Sequence, residues 1–369
     1  MSLAPPTDLA PRVASLEPTA FAVPNGREEE WRFVPMDRAR KFFDADLGAG
    51  TLHAAPGPYV STLPIADVRD GWVPTDRAAA VARAGASTAV VVEIPADHQP
   101  SEPIVVRLAG EQAMNFGHLS IRIGSMSEAT VIVVHDLSVD VSGTIVTQIA
   151  DGAKATVVHV LEGGSGQQML HWHTSVGRDA TFIGATVVLD GSFVRLTPTV
   201  QYDGPGGSAD LLGVFLADGD NFFEQRIFVE HSAPHCRSNV VYKGALSGGH
   251  AHTVWVGDVL VRRTAIGTDT YEMNRNLLLD DGPRADSVPN LELETGDVTS
   301  AGHASATGRF DDMQLFYLMS RGLTEQQARQ MVVRGFFADV IRMIPSLEWR
   351  DQLLGLVDRR LGITGSDDE

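Results

Sequence analysis

From about Thr88 to His303 the chain alternates apolar and polar positions in short runs rich in Val, Ile, Thr and Leu, each closed by Gly, Asp or Ser. Alternation of this kind predicts β-strands, with the punctuating residues in turns. Turns ending in alanine recur at Ser127-Glu128-Ala129, Ala153-Lys154-Ala155, Arg178-Asp179-Ala180, Gly207-Ser208-Ala209, Gly249-His250-Ala251 and Pro283-Arg284-Ala285. Several lead straight into an apolar run, as in Thr130-Val131-Ile132-Val133-Val134. Successive alanines stand roughly 25 to 42 residues apart, a period that marks stacked units unable to bury an apolar face singly. Strands without intervening helices then predict a β-helix. The competing arrangement is a double-sheet sandwich, whose strands turn at a closer spacing of ~8 to 12 residues.

Both ends break the pattern. Ahead of Thr88, short helical stretches are interrupted by Pro5-Pro6, Pro11, Pro18, Pro24-Asn25-Gly26 and Pro56-Gly57-Pro58, and a helix is predicted over Thr75 to Ala84 with Thr75 as its cap. From Asp311 to Leu361 apolar positions fall at helical spacing. Thr324-Glu325-Gln326-Gln327 forms a capping box ahead of Ala328, Met331, Val332, Phe336 and Val340, and Pro345-Ser346 separates this helix from another that stops at Gly362. The tail Ser366-Asp367-Asp368-Glu369 is expected to fray. Three parts result: an N-terminal helical region over 1–87, a β-helix over 88–308 and a C-terminal helical domain over 309–369.

With 369 residues, 43% of them hydrophobic and 21% charged, the chain can bury a large core. A net charge of -18, from 29 basic against 47 acidic residues, sets it against phosphate backbones and anionic membranes. Apolar runs such as Ala89 to Val92 fall far short of the ~20 residues of a spanning helix, and no basic stretch precedes an apolar one at the N-terminus. A cytoplasmic protein that binds neither nucleic acid nor membrane is expected.

Candidate chemistry is sparse. The single cysteine, Cys236, excludes an internal disulfide and a metal site made of this chain's thiolates alone, and a free cysteine is most often a small buried hydrophobe. His171 and His173 share one face of a strand, as His250 and His252 would, but neither pair has the following glutamate that a cupin-like metal site wants; a polar ladder fits better. His231 and His235 flank Pro234, which argues against a zinc-binding helix and for a loop of hydrogen-bonding histidines. No phosphate-cradling Gly-rich loop and no Gly-x-Ser-x-Gly run occurs, so the chain should not hydrolyse nucleotide itself. Asp280-Asp281 and Asp311-Asp312 read as turn and helix-start residues. His303 stands apart, at the seam between the strands and the helices and flanked only by Ala301, Gly302, Ala304 and Ser305.

One set of segments runs in a telling order: Glu29-Glu30-Trp31-Arg32-Phe33, Tyr242-Lys243-Gly244, Arg275-Asn276-Leu277-Leu278-Leu279, Pro289-Asn290-Leu291-Glu292, Asp297-Val298 with His303, and Leu315-Phe316-Tyr317-Leu318-Met319-Ser320-Arg321-Gly322-Leu323. In this the chain resembles the SufB/SufD family, scaffold subunits of the SUF iron-sulfur cluster assembly system. Within the family it is similar to the SufD branch, because the SufB type carries a ligand cysteine in its β-helix and a Glu-His pair at the seam, whereas Gly302 precedes His303 here.

The resemblance implies a right-handed parallel β-helix between helical ends and a non-catalytic subunit that pairs with SufB and docks a SufC-type ATPase. Tyr317, Arg321, Gly322 and Phe336 would meet the ATPase, and His303 would help hold a transient Fe-S cluster shared with SufB. Some relatives have a cysteine two residues before this histidine; Ala301 stands there instead. The resemblance also allows a homodimer in the absence of SufB, and a reduced flavin in the complex, without assigning it residues. Removal of 311–369 is expected to abolish ATPase capture and leave a soluble β-helix fragment. A carbohydrate-active β-helix enzyme and a purely structural β-solenoid are the rival readings; a glycan or no partner, in place of a bound ATPase, would mark them.

Overall fold

The computed structural model describes residues 13–44, 50–136, 138–310 and 312–363. Asp311, Pro5-Pro6, Pro11 and the tail from Ser366 lie outside them.

Strands of the middle region alternate between two sheets as the chain advances. One sheet takes Thr88–Ile94, Met114–Ile123, Asp140–Ile149, Gln167–Val176, Phe193–Tyr202, Phe222–His231, His252–Val261 and Arg284–Leu293; the other takes Ile104–Leu108, Glu128–Asp136, Lys154–Glu162, Thr181–Val188, Ser208–Ala217, Arg237–Leu246, Thr268–Leu278 and Val298–Arg309. Among themselves all of these pair in parallel with their same-sheet neighbours, which makes the middle region a parallel β-helix and excludes the sandwich. The coil lengthens along the chain: His118 meets Thr144 26 residues on, whereas Ser238 meets Thr270 32 residues on. That lengthening, and the fact that Ala129, Ala155 and Ala209 open strands of one sheet while Ala251 and Ala285 belong to the other, explain the uneven spacing of the alanine turns.

Alternation along each strand sends one set of side chains inward. Val131, Val157, Leu211, Val240, Trp172, Leu196, Ile227 and Trp255 fill the interior. In the middle coils the other set is also largely buried, under the two helical ends of the chain. On the first sheet, Phe193, Phe222, Val254 and Val256 lie under Trp31, Phe42 and Phe43 of the N-terminal segment. Arg195 ties this cover down, with its guanidinium 4.0 Å above the Trp31 ring, Nε 2.6 Å from Glu224 and Nη2 donating to the Glu30 carbonyl. On the second sheet, Val187, Leu212, Val214 and Ala245 pack against Val333, Phe337, Val340, Ile341, Leu353 and Val357 of the C-terminal helices Glu325–Ile341 and Leu347–Leu361.

The helix ends follow the sequence closely. Thr324 and Gln327 form the capping box, Ser346 caps the last helix, and Gly362 ends it with φ 71°, the left-handed conformation that glycine adopts without strain. The N-terminal region is helical only in short pieces: its longest helix is Arg77–Gly85, capped by Asp76, which accepts from the Ala79 amide at 2.8 Å, and not by Thr75. Carboxylate oxygens are as good an N-cap as a hydroxyl, and the shift of one residue places Ala78, Ala79 and Val81 in the buried face.

The two ends of the solenoid differ. At the N-terminal end the strand Val60–Pro64 pairs antiparallel with Thr88–Ile94 and closes that edge. At the other end Arg284–Leu293 and Val298–Arg309 are the last strands of their sheets, and no described strand pairs beyond them. No helix among the described residues is long and apolar enough to cross a membrane.

Candidate functional site

His303 lies within one of these bare edges, in the middle of Val298–Arg309, and not where the strands give way to helix: the strand continues six residues past it. Its register partner is Glu272. Parallel pairing stacks side chains of equal register, so the two belong to one inward-facing column that begins Ile104, Val131, Val157, Gly184, Leu211 and Val240. The column is apolar until its last two members.

The imidazole is 45% exposed, with Nδ1 turned toward Glu272, 3.7 Å from Oε1; the Glu272 side chain is 1% exposed. Neither oxygen of that carboxyl has a hydrogen-bond partner of ordinary geometry. Burial, with Asp258 nearby, pushes its pKa up to about 9, and the Asn290 amide only partly offsets this. Burial therefore favours the neutral carboxyl. Gly257 of the facing sheet leaves room for it: a Cβ there would fall 2.3 Å from Oε2.

Glu272 is the residue that sequence reasoning missed. The signal was present in Thr270-Tyr271-Glu272-Met273-Asn274-Arg275-Asn276, where the buried set is Thr270, Glu272, Asn274 and Asn276. That strand inverts the usual sense of alternation, with polar residues inside, and the inversion falls one coil before His303.

The other histidines singled out by the sequence lie apart from this edge. His171 and His173 stand on the outer face of the first sheet, bonded through Nδ1 to Thr197 (2.8 Å) and Thr199 (2.9 Å), a ladder along a groove of about 530 Å³ beneath Trp72 and Asp76. His250 is in a turn, not beside His252 on a strand, and His252 bonds Asp286 at 2.7 Å. His231 is a strand residue buried against Ser238, while His235 occupies the turn that follows. Cys236 is buried, and that burial raises its thiol pKa, the opposite of an activated nucleophile. Asp280 accepts from the Gly248 amide and Asp281 pairs with Arg309, as turn carboxylates do. Among the described residues no three His, Cys, Asp or Glu side chains converge as a metal site.

The four C-terminal candidates divide. Tyr317 is exposed, with Arg321 5.1 Å from its ring centroid, and Gly322 (φ 96°) turns the chain after the helix Asp312–Ser320. Phe336 is half-buried under Lys243, whose Nζ lies 4.6 Å above its ring, and so belongs to the packing between helix and sheet. Beside Tyr317 the helix exposes Met313 (81%), Phe316 (73%) and Met319, which form an apolar patch on its outer face.

The chain is similar to known proteins along most of its length. Residues 106–336 match the SufBD core domain of SUF system FeS cluster assembly. An iron-sulfur cluster assembly SufBD family protein of Mycobacterium tuberculosis is 45% identical over 372 residues, 96% of this chain and 94% of that protein. A second SufBD family protein of the same organism is 34% identical over 164 residues, 44% of this chain and 19% of that protein. The iron-sulfur cluster assembly protein SufD of Escherichia coli is 27% identical over 277 residues, 71% of this chain and 64% of that protein.

Proposed function

Because the chain belongs to the SufBD family and so has a role in iron-sulfur cluster assembly, we propose that it is the SufD-type, non-catalytic scaffold of a cytoplasmic complex with a SufB-type subunit and a SufC-type ATPase. The observation that carries this reading is the half-exposed imidazole of His303 on a bare strand edge. Two strand edges at the same end of the solenoid, with no described strand beyond them, offer main-chain donors and acceptors to a second solenoid, the strand-addition mode of association. That one bacterium holds two different SufBD family proteins accords with a mixed pair.

In such a pair His303 faces the joint. A neutral imidazole is a competent iron ligand, and this chain has no exposed thiol, so the sulfur ligands of the nascent cluster come from the partner. The cluster is cargo, held only while it is built. Exposed Met313, Phe316 and Tyr317 give the ATPase its foothold, with Arg321 and Gly322 shaping its edge and Phe336 fixing the supporting helix from below. Because that helix bundle is packed onto the solenoid wall, motion of the paired ATPases is transmitted to the joint as a rigid displacement.

His303→Ala tests the reading. In the reconstituted complex it should lower cluster yield at least several-fold while ATPase capture and thermal stability stay at the parent's values. Equal yield by variant and parent removes His303 from the cluster.

A further inference from the structure

We propose that Glu272 is the positioning residue for His303: a buried carboxyl, kept in the solenoid interior at the expense of stability, that holds the Nδ1 side of the ring and leaves Nε2 to meet iron at the open end. The inference deepens the reading of His303 as a cluster ligand and rests on it.

Three observations converge. The register puts the two side chains in one column, with Nδ1 facing Oε1 at 3.7 Å, a gap that a small rotation of the exposed ring closes to hydrogen-bond length. Apart from the poorly aligned Asn290 amide, neither carboxyl oxygen has a partner in a side chain almost wholly buried, and a buried polar group so weakly satisfied calls for a physical reason. The facing position is Gly257, where a Cβ would fall 2.3 Å from both the carboxyl and the Trp255 ring, so only glycine leaves the two groups their place.

Structure alone supplies no such reason. The same column holds valine and leucine in the preceding coils, and one more aliphatic side chain would continue it without an unmet hydrogen bond. Departures from a consistent interior fall where function needs them. Here the departure comes one coil before the candidate ligand.

Coordination chemistry supplies the need. A metal-bound imidazole carries its proton on the other ring nitrogen and commonly gives it to a carboxylate, which fixes the ring's orientation and raises its basicity; loss of such a partner weakens metal binding ~10–100-fold. A carboxyl can donate to Nδ1 or accept from it, so Glu272 can hold the ring both before and after iron arrives.

The prediction has opposite signs in stability and in function. In the full-length chain, labelled with ¹⁵N-histidine, Glu272→Leu should raise the melting temperature, erase the ¹⁵N signature of a hydrogen-bonded Nδ1 at His303, and weaken anaerobic Co(II) binding at His303 by ~10–100-fold. Glu272→Gln keeps a carbonyl oxygen for Nδ1–H and should stay within a few-fold of the parent. An unchanged Nδ1 signature and unchanged Co(II) affinity in Glu272→Leu overturn the proposal. If the leucine variant unfolds, the claimed cost in stability is wrong, and Glu272→Gln decides the rest: a loss in glutamine as large as that of His303→Ala overturns positioning by hydrogen bond. Failure of the underlying reading looks different, because then His303→Ala itself leaves cluster yield untouched.

Discussion

Lys243 reaches out of the solenoid wall to Asp339, 2.8 Å away, and donates to the Phe336 carbonyl at 3.0 Å, so one buried cation joins the sheet to the helix that covers it. Asp339 itself is mostly exposed, and the screened ion pair contributes little; the main-chain carbonyl under Lys243 matters more. Lys243→Ala removes that charged hydrogen bond, although the carbonyl keeps its place in the helix ladder, and should cost about 1–3 kcal/mol in urea unfolding. Hydrogen exchange should quicken in Glu325–Ile341 before it does in the strands. Unchanged exchange in that helix would mean that the apolar contacts alone hold the cover.

A pH limb follows from the interior histidines. His135 and His159 bond ring to ring at 2.9 Å inside the coil, and His231 is buried further along. Burial lowers the pKa of His135 and of His231 to about 4, and that of His159 well below the ordinary 6.5, where the neighbouring His135 adds to the effect. The folded values lie under the unfolded one, so the unfolded chain binds protons first. Their contribution to stability is complete above pH 6.5 and is lost as pH falls toward 4, on the order of 3 kcal/mol per histidine at most. Urea midpoints measured across that window should drop steadily, and His231→Gln should shallow the slope; a flat profile would contradict the burial.

The apolar patch of the helix Asp312–Ser320 gives a third test. Met313→Ser with Phe316→Ser should leave unfolding within about 0.5 kcal/mol of the parent, since both side chains are exposed, yet cut capture of the ATPase at least tenfold. Point changes are the right tool. Deleting 311–369, expected from the sequence to leave a soluble fragment, would strip Val187, Leu212, Val214 and Ala245 of their cover and present a broad apolar sheet face to water.

How much of this was legible beforehand can be judged residue by residue. Alternating runs and Ala-closed turns marked the stacked strands, because a strand's period of two and a turn's small residues are local properties. The capping box at Thr324 and the stop at Gly362 were readable for the same reason. Thr75 misled because Asp76, its neighbour, is an equally good cap, and only the buried face of the helix decides between them. Glu272 could not be joined to His303 from the sequence: 31 residues separate them, coils here differ in length, and a shift of one position would have sent the carboxyl to the opposite face. The inner orientation of Tyr242 and the outer one of Lys243, adjacent in the chain, likewise needed the register.

The unequal ends of the rod have one more consequence. A coil in the middle is gripped from both sides, whereas the last, made of Arg284–Leu293 and Val298–Arg309, is gripped from one. Melting should therefore begin there and travel inward like a zip, while the strand Val60–Pro64 bolts the opposite end. A companion that closed the loose end would turn the weakest coil into an interior one, and the heat tolerance of this chain would then rise with the companion's concentration.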